Sequence, residues 1–494
     1  MIQEERISTG IEGLDDILGG GLPRGHLYLI EGDPGTGKTT LALQFLMAGA
    51  HNNEPALYVT LSESESELMT VAKSHNWSLK GVSIFEMLPD EASLRPEGQY
   101  TVFHPSEVEL ADTTKAVLDK VEEIGARRIV IDSLSELRML ASDPLRYRRQ
   151  ILAFKQYFTG RSCSVLMLDD RSGGERNLQL HSIAHGVITL EGLPREYGVK
   201  RRRLEVVKLR ASSYREGFHD YSIKTGGLSI YPRLIAAEHQ PKPILKKSSS
   251  GISELDTLWG GGIDRGTSTL VLGPAGSGKS TISAQYAIAA AERGERACIF
   301  TFDESVLTLL SRMKGLNMDA DPYLQSGLLS VQQIDPAELS PGEFVSLVRK
   351  SVTTENATII VIDSLNGLLN AMPGEQALTM HLHELLTFLN QQGVSSFLVM
   401  AQHGLLGKDM ISPVDVSYLA DSVLLLRYFE AEGQVKQAIS VVKKRSGGHE
   451  HSIRELKLDG GIQIGKPLLN FRGVLTGVPE FLQDGTNGNV YADR

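Results

Sequence analysis

Gly32-Asp33-Pro34-Gly35-Thr36-Gly37-Lys38-Thr39 and Gly273-Pro274-Ala275-Gly276-Ser277-Gly278-Lys279-Ser280 are two complete copies of the pattern G-x-x-x-x-G-K-[ST]. Their lysines stand 241 residues apart. Each copy follows a run that reads as a strand (His26 to Glu31; Ser268 to Leu272) and opens one that reads as a helix. That context separates a phosphate-binding loop from a chance match. Glycines let consecutive backbone N–H groups converge on phosphate oxygens, and the helix N-terminus adds positive potential. The lysine neutralises β/γ charge, while Thr39 or Ser280 offers a hydroxyl to magnesium. Gly35, Thr36, Gly37, Lys38, Thr39 and Thr40, with Gly276, Ser277, Gly278, Lys279, Ser280 and Thr281, are therefore expected to bind ATP. Two such loops in register indicate a nucleotide machine.

The loops sit inside a longer repeat. Thr9-Gly10-Ile11-Glu12-Gly13-Leu14-Asp15 recurs as Ser250-Gly251-Ile252-Ser253-Glu254-Leu255-Asp256. Gly19-Gly20-Gly21 recurs as Gly260-Gly261-Gly262, and Ile129-Val130-Ile131-Asp132-Ser133-Leu134 as Ile360-Val361-Ile362-Asp363-Ser364-Leu365. Lys208-Leu209-Arg210 and Lys443-Lys444-Arg445 close the two copies. The stretch Glu238 to Ser250 is rich in Pro, Lys and Ser, lacks apolar periodicity and reads as a linker. Within each copy, β-rich runs such as Ala56 to Leu61, Arg128 to Ile131 and Ser164 to Leu168 alternate with helical patterns. This implies a mostly parallel sheet covered on both faces, with ligands at the strand carboxyl ends. Val187 to Glu191 with Leu204 to Lys208, and Val423 to Arg427 with Ile439 to Val442, read as antiparallel closing strands.

Composition bounds the answer from outside. A chain of 494 residues, 41% hydrophobic and 22% charged, suits two or three soluble domains. The net charge of −10 weighs against a large nucleic-acid footprint. Two cysteines, Cys163 and Cys298, do not make a disulfide framework or a cysteine-rich zinc site. No stretch is apolar enough to span a membrane, and the first residues are polar rather than signal-like, so a cytoplasmic protein is expected.

Asp132 and Asp363 each follow an aliphatic strand, where an aspartate can hold magnesium beside a phosphate-binding loop. A general base must also orient a water or hydroxyl. The candidates end Val59-Thr60-Leu61-Ser62-Glu63-Ser64 and Phe300-Thr301-Phe302-Asp303-Glu304-Ser305: Glu63 in the first half, Asp303 and Glu304 in the second. Two readings of these acids stand side by side, catalysis or a favourable first turn of the next helix. The recurring Lys-x-Arg suits phosphate recognition from a neighbouring subunit, against the plain reading of solvated strand residues. Lys200-Arg201-Arg202-Arg203 and the pairs His381/His383 and His449/His451 read as structural.

Taken together, these signatures resemble the KaiC family, within the wider RecA/RadA/DnaB-like class. Further marks are Lys208-Leu209-Arg210-Ala211-Ser212-Ser213-Tyr214, Leu424-Leu425-Leu426-Arg427-Tyr428 and Ile453-Arg454-Glu455. The resemblance covers nearly the whole chain. It implies an α/β fold of two tandem RecA-like P-loop domains, here residues 1–240 and 241–480, with a short tail at 481–494. It implies a homo-hexamer of two stacked rings with ATP and Mg2+ between subunits, an ATPase first domain and a second domain that is an autokinase and phosphatase. Lys208, Leu209, Arg210, Lys443, Lys444 and Arg445 would then meet a nucleotide, the basic pairs that of a neighbouring subunit. A KaiB-like or other signalling protein partner is implied as well, although the tail after Phe471 is short for the family's tail-binding partner.

Two departures stand out. The family's paired glutamates fall on Ser62-Glu63 and Asp303-Glu304, so the first half lacks one carboxylate. Its adjacent phosphoacceptors fall on Ser417-Tyr418, which leaves Ser417 as the acceptor, with Ser412 at a neighbouring switch position. The leading expectation is an ATP-driven hexameric ATPase with serine autokinase activity in its second half. A DNA-dependent motor of the same fold and a nucleotide-gated scaffold without kinase activity are the alternatives.

Overall fold

The computed structural model describes residues 5–87, 105–141, 143–171, 178–195, 197–239, 246–371, 375–402, 417–476 and 480–481. They form two compact units, Met1–Arg233 and Leu234–Arg494. In the first unit nine strands make one sheet: β1 (Leu27–Gly32), β2 (Ala56–Thr60), β3 (Val82–Glu86), β4 (Arg128–Asp132), β5 (Ser164–Asp170), β6 (Gly186–Leu193), β7 (Arg201–Leu209), β8 (Phe218–Lys224) and β9 (Gly227–Tyr231). Their spatial order is 3-2-4-5-1-6-7-8-9. Strands 3 to 6 in that order pair in parallel, and the last three are added antiparallel.

The second unit repeats this plan strand for strand. Its strands are β10 (Ser268–Gly273), β11 (Arg296–Thr301), β12 (Leu329–Gln333), β13 (Ala357–Asp363), β14 (Ser395–Ala401), β15 (Ser422–Ala431), β16 (Gln434–Lys444), β17 (Arg454–Leu458) and β18 (Ile462–Pro467). They follow the order 12-11-13-14-10-15-16-17-18. The expected hairpins are present in both: Val187 pairs with Lys208, and Val423 with Lys443. The chain is thus an α/β protein of two tandem RecA-like domains.

The central strands are apolar nearly throughout because helices cover both faces of the sheet. Side chains alternate between two cores with period two. Leu27, Leu29, Leu57, Val59, Ile129 and Ile131 enter one; Tyr28, Ile30, Tyr58, Val130 and Leu166 enter the other. The second unit divides the same way, with Phe300, Ile360 and Ile362 on one face and Ile299, Ile359 and Val361 on the opposite face. Phe302 and Phe300 each pack edge-on to Phe344, closing one side of β11. Leu234 and Ala236 are buried with the second unit's core, and Lys247–Ser248 pairs with Ile263–Asp264.

This architecture brings the carboxyl ends of β1, β2, β4 and β5, or of β10, β11, β13 and β14, to one edge. Each phosphate-binding loop lies there.

Candidate nucleotide sites in the two halves

Each loop leaves its central strand and runs directly into a helix, Lys38–His51 or Lys279–Glu292. Gly37 and Gly278 precede these helices with φ of 95° and 94°, the left-handed region that L side chains avoid. A Cβ there would also lie 2.7 Å from Ile223 or Leu458. Being glycines, they cap the helix with no side chain, which leaves the first-turn N–H groups directed at whatever the loop holds. Thr36 and Ser277 are buried beneath the loop, and Thr40 and Thr281 in the helix below it.

The lysines are buried too, at 9% and 7% exposure, so their charge needs partners. Lys38 Nζ donates to the Gly32 carbonyl at 2.9 Å and lies 2.6 Å from Asp170 Oδ1. Lys279 Nζ donates to the Pro274 carbonyl at 2.7 Å, and burial pushes its pKa down to about 8 although Asp363 opposes that shift. Lys38 thus already meets an anionic oxygen, whereas Lys279 meets a neutral carbonyl.

Asp132 and Asp363 end β4 and β13 beside these lysines. Burial raises both carboxyls above their ordinary value. Asp132 Oδ2 accepts from the Tyr58 hydroxyl at 2.5 Å and from Thr39 Oγ1 at 3.4 Å. Asp363 accepts from Ser280. A hydroxyl and a carboxylate at the foot of a phosphate loop are ligand types that magnesium takes, with phosphate and water supplying the rest. The donor set therefore fits the ion. The peptide after each aspartate, Asp132–Ser133 or Asp363–Ser364, is cis in both halves.

The candidate bases lie in matching turns. Thr60 Oγ1 donates to the Glu63 carbonyl at 2.7 Å, and Thr301 Oγ1 to that of Glu304 at 2.8 Å. Ser64 and Ser305 then cap the next helix, so Glu63 and Glu304 precede it rather than serving its first turn. Beyond this the halves diverge. Glu63 Oε2 is buried with no hydrogen-bond partner among the described residues, and burial, then Asp132, raises its pKa. Glu304 Oε2 instead pairs with Arg312 at 2.8 Å. Asp303 accepts from the Ser364 hydroxyl; the equivalent Ser62, likewise exposed, has no carboxylate to offer Ser133.

Lys208 and Lys443 grip the backbone ahead of β6 and β15. Lys208 Nζ donates to the carbonyls of His181 and Ala184, the latter at 2.8 Å. Lys443 Nζ donates to those of Ser417 and Ala420 at 2.8 and 2.7 Å. Ser417 and His181 thus hold the same place in their halves. Arg210 and Arg445 reach the carbonyls of Ser182 and Tyr418 at 2.7 and 2.5 Å. Leu209 is buried in the core, and Lys444 donates to the Trp259 carbonyl at 2.7 Å, near Asp264. Ser412 lies outside the described residues.

Several contributors are invisible in the spacing of motifs: Asp170, Tyr58, Arg312, and a partly buried pair in which Glu31 Oε2 lies 3.0 Å from His181 Nε2. Asp170 did carry a signal, an acid at a strand end beside the loop. Reading β5 as Ser164 to Leu168 stops two residues short of it. The basic run is structural: Arg203 pairs with Glu191 at 2.8 Å and Arg201 with Asp220 at 3.5 Å. Among the described residues, no helix is long and apolar enough to cross a membrane.

Comparison with known proteins agrees with the geometry. The chain is 28% identical over 489 residues to the circadian clock oscillator protein KaiC of Acaryochloris marina, covering 97% of this chain and 92% of that one. The KaiC of Parasynechococcus marenigrum is 27% identical over 485 residues, 97% and 94% of the two chains. That of Thermostichus vulcanus is 28% identical over 482 residues, 96% and 92%. A KaiC ATPase family model matches residues 7–235 and again 248–468. The chain belongs to the KaiC ATPase family.

Proposed function

We propose that this ATPase assembles as an ATP-dependent hexameric ring, hydrolyses ATP in its first half, and transfers a phosphoryl group to Ser417 in its second. The observation that carries the reading is the site found twice: an uncapped glycine loop closed on a buried lysine, beside a buried strand-end aspartate and a loop hydroxyl. Thr39 with Asp132, and Ser280 with Asp363, would hold magnesium, which supplies charge neutralisation between β- and γ-phosphates. Lys38 and Lys279 bind the same phosphates.

Glu63 orients the attacking water in the first half, since its carboxylate is the unpaired one. In the second half Asp303 and Glu304 orient the hydroxyl of Ser417 from an adjacent subunit. Lys208 with Arg210, and Lys443 with Arg445, stand on hairpin ends where a neighbour's nucleotide would meet them. Relatives named circadian clock oscillator proteins support a signalling role; its read-out through phosphorylation, with a KaiB-like or other protein as partner, is what the family resemblance implies.

Incubation with γ-labelled ATP and magnesium, followed by mass-spectrometric localisation, tests the division of labour. Label is expected on the peptide containing Ser417 and absent from Ser417→Ala. ATP turnover without label anywhere in the chain would leave an ATPase and remove the kinase.

A further inference from the structure

Ser62 stands where the second half has Asp303, so the turn that carries Glu63 is one carboxylate short. A carboxylate arrives from another strand. Asp170 ends β5, opposite Gly32 in register, and its Oδ1 lies 2.6 Å from Lys38 Nζ. The corresponding position in the second half, opposite Gly273, is Ala401. Asp132, Glu63 and Asp170 of the first half thus answer to Asp363, Glu304 and Asp303 of the second. Only the third has changed strand.

We propose that Asp170 is the proton-accepting carboxylate of the first site, supplied from β5 in place of the acid missing at Ser62. The proposal rests on the reading of the first half as a hydrolytic site. The lysine that contacts Asp170 is the one that contacts transferable phosphate in a loop of this kind. A triphosphate on the loop competes with Asp170 for Lys38, and the carboxylate it releases is left facing that phosphate.

Glu63, whose carboxyl is raised by burial and then by the charge of Asp132, positions the water. In the step itself the water oxygen bonds to the γ-phosphorus. The bond from that phosphorus to the β,γ-bridging oxygen breaks, and ADP leaves with the electron pair. The water proton passes to Asp170 and from there to solvent. In the second half the same work falls to acids on the turn after β11, where Ser364 donates to Asp303.

The test is made on the full chain carrying Lys279→Ala, so that turnover reports the first half. Asp170→Asn is expected to lower kcat roughly 100-fold, the usual contribution of a positioned base. ATP should bind that variant as tightly as the parent or more tightly, because Lys38 has lost its competitor. Adding Ser62→Asp to Asp170→Asn should restore a measurable part of the turnover. Parental or faster turnover in Asp170→Asn would reduce Asp170 to a counter-ion for Lys38 and overturn the proposal. Should Asp170→Asn fail to fold, Asp170→Glu decides: slower turnover at unchanged affinity supports the role, and unchanged turnover defeats it. Absence of turnover in the Lys279→Ala parent would instead defeat first-half hydrolysis, a distinguishable result.

Discussion

The two halves share a strand order but not a polar interior. Where the first half has Glu31, Tyr58, Asp170 and Thr189, the second has Leu272, Ile299, Ala401 and Leu425 at the equivalent register positions. Apolar alternation and the loop glycines are what the sheet needs, and both halves keep them. Charges at strand ends are needed only by the chemistry, so they diverged. The lysine clamp shows the contrast directly, a carboxylate at 2.6 Å in one half and a carbonyl at 2.7 Å in the other.

The largest expected effects come from breaking each clamp. Truncating a buried, hydrogen-bonded charge costs about 2–5 kcal/mol, so Lys38→Ala or Lys279→Ala should weaken ATP at its own site roughly thirty-fold or more. Occupancy of each half by a photoreactive nucleotide would report this. Lys279→Ala should abolish labelling of Ser417, while Lys38→Ala should chiefly impair ring assembly, followed by sedimentation. Equal loss of labelling in intact rings would erase the distinction between the halves.

Tyr58→Phe comes next. The phenol donates to a buried carboxylate that Thr39 reaches only at 3.4 Å, and Ile299 supplies nothing comparable to Asp363. Losing a hydrogen bond to a charged group costs about 1–3 kcal/mol, and Asp132 should protonate more readily still. Hydrogen exchange of amides in β2 and β4 should therefore accelerate while those of β11 and β13 do not. Unchanged exchange in the first half would show that Asp132 finds another donor.

Much of this was legible before any coordinates. The loops, the strand-end aspartates and the hairpins ending in Lys208 and Lys443 announce themselves because each is a local pattern that recurs. Ser417 is singled out as an acceptor by the resemblance alone. The pairings of Asp170, His181 and Tyr58 were not legible, since each meets its partner through strand register or helix packing across long sequence separations; Arg312 reaches back from the next helix to Glu304. Local periodicity carries no information about such pairings. The positions of Lys208 and Arg210 were read correctly on the hairpin, but their grip on the carbonyls of 181–184 depends on how that segment folds back.

Lys279 gives the comparison a pH dependence. Its pKa falls from 10.5 to about 8 because burial disfavours the ammonium. Between those values the unfolded chain holds a proton that the folded chain has released, so folding stability rises with pH across that window. The slope reaches at most about 1.4 kcal/mol per pH unit. Nucleotide-free protein denatured chemically at pH 7.5, 8.5 and 9.5 should show this, and Lys279→Met should lose it. ATP binding near pH 9 should accompany proton uptake, visible as a binding enthalpy that varies with buffer. A parent and variant with parallel pH profiles would disprove the assignment.

The smallest effect concerns the glutamates, and it tests most directly whether their surroundings divide the two chemistries. Arg312 is seven residues beyond the cap Ser305; Val71 is seven beyond the equivalent cap Ser64. Glu304 is therefore clamped by a helix side chain that Glu63 lacks. Both members of the Glu304–Arg312 pair are partly exposed, at 23% and 36%, so the pair is worth no more than about 1 kcal/mol. Arg312→Ala should free Glu304 and change second-half ATP turnover by up to roughly five-fold, with little loss of stability. Val71→Arg should do the reverse, holding Glu63 and slowing the first half by a similar factor. Single-site turnover, with the other loop lysine replaced by alanine, reads each effect separately. Opposite changes in the two halves would tie their difference to this one helix position. If Val71→Arg leaves the first half unchanged, Glu63 is not the group that sets its rate, and the water is governed by the acids of β4 and β5 alone.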